Sequence, residues 1–489
     1  MVPPNDDDRC AWREYAKYLE GEAKKSSVKM EEMAAKLEVL ERAFARRAEK
    51  MRKLPKIPRP PKTKDEVQDQ RTQQALLRAE NVVTEEPEAI LVPEELKKCP
   101  ACGGSAFREV GITKPSETWS YVPGYIRRTI HTRQVVSCRC GGCIVAAPAP
   151  HRWSENARYD ASFVAHVVVS KCLVVTPLYR LEKSFARIGV PMARSTMNDL
   201  FRRCGQKLLR LHEPLLAALR ADPVVNVDET SFVLTSQASK AFVWTIVGRA
   251  LTGYIFAPTR GGEVSREALG DSAGVLVCDD YRGYDPVARE GNRIRAGCMA
   301  HARRKYFEAG DVPEARRALD LIAAMYAVEH EAERREITGS EAHLALRRAY
   351  TLPLFLELVK LARALHREHG PKTLLGRAAR YTCSNVHELS RAMYDARIPL
   401  DNNRAENALR LVALGRKNFL FVHSENAGKE LAILYSLVVS CTRVGVNPVE
   451  YLTHVLDRID LTNDDSLRDL LPDRWRPPSA PRQDDATLF

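Results

Sequence analysis

Val224-Val225-Asn226-Val227-Asp228-Glu229-Thr230-Ser231 decides how the fold of this 489-residue chain is read. Its first half is short, β-branched and nearly all apolar, the pattern of a strand buried on both faces. An ionised carboxylate is costly inside a sheet, so the reading predicts a strand over 224–227 with Asp228 at its mouth. A second run, Gly274-Val275-Leu276-Val277-Cys278, closes the same way on Asp279 and leads into Asp280-Tyr281-Arg282-Gly283-Tyr284. Between the two runs, 241–249 and 252–256 read as strands joined by a turn near Leu251, and 263–269 suits a short helix. Residues 293–298 suit a fifth strand. Three strands, a helix, a strand, a crossover and a strand predict a mixed α/β sheet.

A third acid completes the pattern. Glu406 lies in Asp401-Asn402-Asn403-Arg404-Ala405-Glu406-Asn407-Ala408-Leu409-Arg410, where a helix begins. Taken singly, each acid reads better as a cap or turn residue. Two carboxylates at strand ends and a third on a helix can together hold two divalent cations for phosphodiester chemistry.

The words around these acids carry a resemblance. Val227-Asp228-Glu229-Thr230, Asp279-Asp280-Tyr281-Arg282-Gly283-Tyr284, Gly297-Cys298-Met299-Ala300-His301-Ala302-Arg303-Arg304-Lys305, Asp401 to Glu406 and Gly415-Arg416-Lys417-Asn418-Phe419-Leu420-Phe421 follow one another in order. They resemble the DDE transposases of bacterial insertion sequences, closest to the large transposase subunit of the insertion-sequence sixty-six family. The likeness runs from the Cys99 region to about Tyr451. It implies a ribonuclease-H-like catalytic sheet with a helical insertion. It also implies catalysis by Asp228, Asp279 and Glu406 holding two Mg²⁺ ions, with cleavage freeing a 3′-hydroxyl that is then joined to target DNA. Three positions depart from the family pattern: Asp280 where Gly is usual, Met299 where Trp is usual, and Asn407 where Arg is frequent. None removes a carboxylate.

Composition agrees. A net charge of +12 suits a polyanionic partner, because neutralising phosphates drives non-specific nucleic-acid binding. No apolar run reaches membrane-spanning length, and the N-terminus lacks the apolar core of a signal peptide, so a soluble, cytoplasmic, nucleoid-associated protein is expected. In that compartment the 12 cysteines read as thiols and metal ligands rather than disulfides.

The remaining segments suggest further modules. Residues 1–54 include Met30, Met33, Leu37, Leu40, Phe44, Met51 and Leu54 at alternating three- and four-residue steps, interrupted by Arg47 where one apolar residue is due, which fits either a short coiled coil or an ordinary amphipathic helix. The family likeness favours self-association into a homo-oligomer and allows small accessory proteins of the same element as partners. A proline-rich basic linker follows over 55–95. In 96–150, Cys99 and Cys102 with Cys140 and Cys143 have the spacing of a structural Zn²⁺ ribbon, Cys138 competing for the second pair. Residues 151–212 read as helices with a helix-turn-helix pattern, in which Arg194, Ser195, Thr196 and Asn198 face outward to contact DNA; any helical hairpin has the same signature. The catalytic sheet is assigned to 213–304 and 398–460, interrupted by a helical insertion over 305–397, with a tail over 461–489.

Cys298 and His301 have metal-ligand spacing but no second pair nearby, so a histidine that orients a carboxylate or phosphate is the preferred reading. Arg303, Arg304, Asn403, Arg416 and Lys417 are candidate near-site groups that position phosphates. Two rival functions share parts of this pattern: a ribonuclease-H-like nuclease that does not transpose, and a non-catalytic zinc/helix-turn-helix DNA-binding regulator.

Overall fold

The computed structural model describes residues 152–154, 157–237, 239–288, 291–419 and 422–477, with one strand pair and a few isolated positions before them. The expected N-terminal helix and the zinc-ligand cysteines Cys99, Cys102, Cys138, Cys140 and Cys143 lie outside the described residues. Two compact units divide the chain, the smaller comprising 59–150 with 186–190. Within the smaller unit, strands β1 (Val135–Ser137) and β2 (Ile144–Ala146) pair antiparallel.

Strands β3 (Val224–Leu234), β4 (Ser239–Val247), β5 (Thr252–Ala257), β6 (Gly274–Val277) and β7 (Arg293–Ala296) of the larger unit form one sheet in the order β5-β4-β3-β6-β7. β3, β4 and β5 run antiparallel, whereas β6 and β7 run parallel to β3. The five strands and their order along the chain match the sequence reading, since parallel strands buried on both faces announce themselves as continuous apolar runs. One boundary differs. β3 does not stop before Asp228 but continues to Leu234, because β4 pairs with it as far as Leu234↔Ser239. Its ladder with β6 ends at Asn226↔Val277. Asp228 therefore sits mid-strand, on the edge of β3 that β6 has just vacated.

Helices α1 (Ala161–Cys172), α2 (Leu178–Arg187), α3 (Arg194–Leu208) and α4 (His212–Arg220) precede the sheet, and α5 (Gly262–Leu269) bridges β5 to β6. After β7 come α6 (Met299–Glu308), then α7 (Pro313–Arg334), α8 (Leu352–Glu368) and α9 (Leu374–Ser384) of the helical insertion. The chain returns through α10 (Asn403–Phe419), α11 (Glu425–Arg443) and α12 (Pro448–Arg458). Pro at the first turn of α7, α8 and α12 fits a position whose amide has no partner inside the helix.

The core has two main parts. One joins the β3–β4–β5 side to α1, α3, α11 and α12; the other joins Val277 and Ala296 to the insertion helices. α11 is buried almost throughout from Glu430 to Cys441. It covers edge strand β5, whose outward amides would otherwise be exposed for pairing. Ser436 Oγ accepts from Tyr254 N at 2.8 Å, and Ser440 Oγ accepts from Thr252 N at 2.9 Å. The expected tail from 461 is corrected: Leu467, Leu470, Leu471 and Trp475 are buried in the same core, and the chain stays packed through Trp475. Polar Asp464-Asp465 and Arg468-Asp469 hid that apolar spacing.

Candidate active site

The site forms where the sheet splits. Asp228 lies two residues beyond the last β3–β6 pair, and Asp279 two residues beyond its partner Val277, so the two acids occupy matching positions past the end of the β3–β6 ladder. Each is fixed by a local amide: Glu229 N donates to Asp228 Oδ1 at 2.9 Å, and Tyr281 N to Asp279 Oδ1 at 3.0 Å. Glu406 comes from the first turn of α10, which packs along β3. Asp228, Glu229, Thr230, His301, Arg304, Glu406, Leu409, Arg410 and Ala413 line one open cleft of about 400 Å³.

Electrostatics identify the cleft's character. Burial first, then the neighbouring Glu229 carboxylate, pushes Asp228 up to about 7, with Asp279 and Glu406 adding to the effect against the opposing Glu229 amide. Asp228 thus sits among three other carboxylates. Among the described residues Glu406 Oε1 is buried without a hydrogen-bond partner, as is His301 Nδ1, 3.8 Å away. Arg304 approaches the other Glu406 oxygen at 3.9 Å. Burial lowers the His301 pKa, with Glu406 opposing, so the imidazole is neutral near pH 7.

A polar brace sets the start of α10. Asn402 is buried; its Nδ2 donates to Val227 O at 2.8 Å, its Oδ1 accepts from Asn226 Nδ2 at 3.0 Å, and its N donates to Cys298 Sγ at 3.2 Å. Asp401 accepts from Tyr326 of α7 at 2.6 Å and from the Asn403 amide at 3.0 Å. The Asp401-Asn402 pair therefore ties the helix of Glu406 to the strand of Asp228, the end of β7 and the insertion.

The other sequence-nominated residues fall into different settings. Arg304 and His301 line the cleft, whereas Asn403 turns its side chain back onto Asp401. Arg416 bonds Thr230 Oγ1 and Ser231 on β3, so its guanidinium ties α10 to the sheet instead of facing the cleft. Lys417 is exposed, and Arg303 lies near Tyr326. Cys298, His301 and Glu406 bring ligand atoms within 4.8 Å of one another. Burial pushes the Cys298 thiol up to about 12, and its sulfur already accepts an amide, which makes it a poor ligand. Away from the cleft, Arg194, Ser195 and Asn198 are exposed at the start of α3, Thr196 is half-buried, and Met197 packs on Val167, Leu181 and Phe185. Arg194 pairs with Glu182 of α2 at 3.0 Å.

Sequence reading missed Arg410 and the Glu229 cluster. Arg410 stands one turn after Glu406 on α10, a spacing that could have nominated it. Glu229 receives Arg260 Nε at 2.8 Å and the Tyr284 hydroxyl, partners that no local pattern reveals.

Comparison with known proteins agrees across most of the chain. Residues 156–430 match the model of the Transposase IS66 family, and residues 436–472 match the IS66 C-terminal element. The uncharacterized protein y4jD of Sinorhizobium fredii is 31% identical over 416 residues, covering 79% of this chain and 80% of that protein. A second uncharacterized protein of the same organism, y4hP, is 26% identical over 428 residues, covering 80% of this chain and 75% of its own length. With more than half of its length matched, the chain belongs to the Transposase IS66 family.

Proposed function

We propose that this chain cleaves and joins DNA at the ends of a bacterial insertion sequence, with Asp228, Asp279 and Glu406 as its metal-holding acids on a ribonuclease-H-like sheet. One observation carries the reading: a half-buried aspartate whose charge is opposed by three other carboxylates, one of which, Glu406, has an oxygen buried with no hydrogen-bond partner among the described residues. That excess of acid fits divalent cations, which remove the repulsion that otherwise raises Asp228. When bound by the three acids, two Mg²⁺ ions would activate the attacking oxygen and stabilise the departing one.

The chain's own groups do the rest. Arg304 and Arg410 line the cleft and offer positive charge to a phosphodiester backbone. Neutral His301 stands beside Glu406, and the Asn402 brace holds α10 against β3. In the first step water adds to phosphorus as the bond to the 3′-oxygen at the element's end breaks, leaving a 3′-hydroxyl and a 5′-phosphate. In the second, that hydroxyl attacks a target phosphodiester, and the displaced target 3′-oxygen leaves with a proton. Only the attacking oxygen changes, so one site serves both.

The reading extends to the flanking modules: Arg194, Ser195, Thr196 and Asn198 contact DNA, and Cys99, Cys102, Cys140 and Cys143 hold a structural Zn²⁺, with Cys138 as the competing ligand. A homo-oligomer with accessory proteins of the same element would assemble on the ends. The test is Asp228→Asn. Strand cleavage of a duplex bearing the gene's flanking repeats should fall to background while binding persists. Cleavage by that variant would overturn the assignment, and cleavage without joining by the parent chain would mark a nuclease that does not transpose.

A further inference from the structure

We propose that Arg260 is a pre-set phosphate clamp that positions DNA beside the acid cleft, a proposal that rests on the DNA-processing reading above. Arg260 lies after β5, in the loop Thr259-Arg260-Gly261-Gly262 that leads into α5. Its guanidinium is held from two sides. Nε and an Nη donate to Glu229, whose side chain is only 3% exposed, and the Tyr284 hydroxyl bonds the other oxygen of the same carboxylate. The guanidinium carbon lies over the Tyr281 ring, 4.0 Å from its centroid, and Tyr281 packs edge-on against Tyr284, which packs edge-on against Trp244.

The loop itself is fastened to the chain that follows Asp279. Tyr281 Oη donates to Arg260 O at 2.7 Å, and Ser265 Oγ donates to Gly283 O at 3.1 Å. A side chain at Gly262 would meet Gly283 O at 2.7 Å, so that approach requires glycine. Despite these restraints, the Arg260 side chain remains 47% exposed. An arginine used solely to neutralise Glu229 would gain little from standing half in water. One held by a carboxylate and a ring loses little further freedom when it grips a phosphate.

Charge supports this role. Asp279 falls within the field of Arg260, so the guanidinium acts electrostatically on one of the three acids proposed to hold the metal ions. The nearby N-terminus of α5 does not offer an alternative anion site: Glu263, in its first turn, occupies it and bonds Thr259 Oγ1 at 2.8 Å. The positive group presented to DNA here is the arginine.

The experiment uses the full chain carrying Asp228→Asn, with Mg²⁺, and measures binding of the end-bearing duplex across a salt series. Adding Arg260→Gln should weaken binding and flatten the salt dependence by about one phosphate contact, a slope change of roughly 0.9 in log K against log salt. Arg260→Lys should restore the slope but only part of the affinity, because a point charge lacks the planar fork. With Asp228 intact, Arg260→Gln should raise KM for cleavage more than it lowers kcat. An unchanged slope in a folded Arg260→Gln protein would overturn the clamp and leave the guanidinium as a structural partner of Glu229. That result leaves the acid-site reading standing, whereas cleavage by the Asp228→Asn parent sinks the acid-site reading itself.

Discussion

Glu329 in the insertion and Asp228 in the cleft are both carboxylates at low exposure, and they are satisfied in opposite ways. In the insertion, Glu329 accepts from Arg347 at 2.8 and 2.5 Å and lies 3.3 Å from His343. Burial pushes Glu329 up, but the bonds from Arg347 and His343 outweigh it and hold the carboxyl below its usual value. Arg347 is 1% exposed and also donates to the carbonyls of Ala392 and Ile398 at 2.8 Å each. In the cleft, Asp228 has carboxylates for neighbours and is pushed up instead. A buried acid with cationic partners holds structure together; on the reading proposed above, one surrounded by acids is left for a cation from outside.

That contrast breaks first under exchange of acid for amide. Glu406→Gln should reduce cleavage to background with little loss of stability, since it removes a charge from a repulsive cluster. Glu329→Gln should do the reverse, costing about 3–5 kcal/mol because the Arg347 charge is left buried without a counter-charge, with remaining folded protein still able to cleave. Denaturant unfolding and a single-turnover cleavage assay on both variants check the pair. Equal destabilisation by the two would erase the distinction.

Asn402 probes the boundary between the two regions, since it neither holds a cation nor carries charge. Asn402→Ala leaves Asn226 Nδ2 only a long bond to Asp401 O and removes the side-chain donor to the Val227 carbonyl, and should cost roughly 2 kcal/mol. Because it frees the first turn of α10, cleavage should fall further than stability predicts. A loss of stability with full activity would show that Glu406 is positioned by other contacts.

Proton linkage sharpens the same point. Asp228 binds its proton more tightly folded than unfolded, so between about pH 4 and 7 the native state holds more protons and stability falls as pH rises. The contribution is fully present below the unfolded carboxyl range and is lost as pH climbs through about 7. Melting of metal-free protein should therefore drop over that window, Asp228→Asn should flatten the drop, and Mg²⁺ should restore stability at pH 8. A pH-independent melting temperature without metal would remove the argument for an uncompensated acid.

The sequence revealed the strands more readily than the bracing. Val224–Val227 and Val275–Cys278 are apolar runs ending in acid, and both the sheet and the candidate acids follow from that local signal. The end of β3 did not, because Asp228 to Leu234 stays in the sheet only through cross-strand pairing with β4. Asn402 was visible only as part of a motif, since its work depends on Val227 and Cys298, far away in the chain. Arg416 looked like a phosphate ligand by charge and neighbourhood, yet bonds Ser231. Charge can be read from a sequence, but which partner satisfies it is decided by packing.

The smallest predicted effect concerns a third kind of acid. Glu331, two residues after Glu329 on α7, is paired with Arg334 at 2.8 Å and Arg335 at 2.6 Å, and these hydrogen bonds pull its carboxyl down to about 2. By partner count it resembles Glu329 more than Asp228 or Glu406 does. It differs in facing solvent, where water replaces a lost partner and holding long side chains in one arrangement offsets the Coulomb gain. Glu331→Gln should therefore leave both melting temperature and cleavage within error of wild type, as salt titration of the parent chain would corroborate. A clear loss of stability would mean that pairing alone, rather than pairing under burial, separates the knot at Glu329 from the cleft at Asp228.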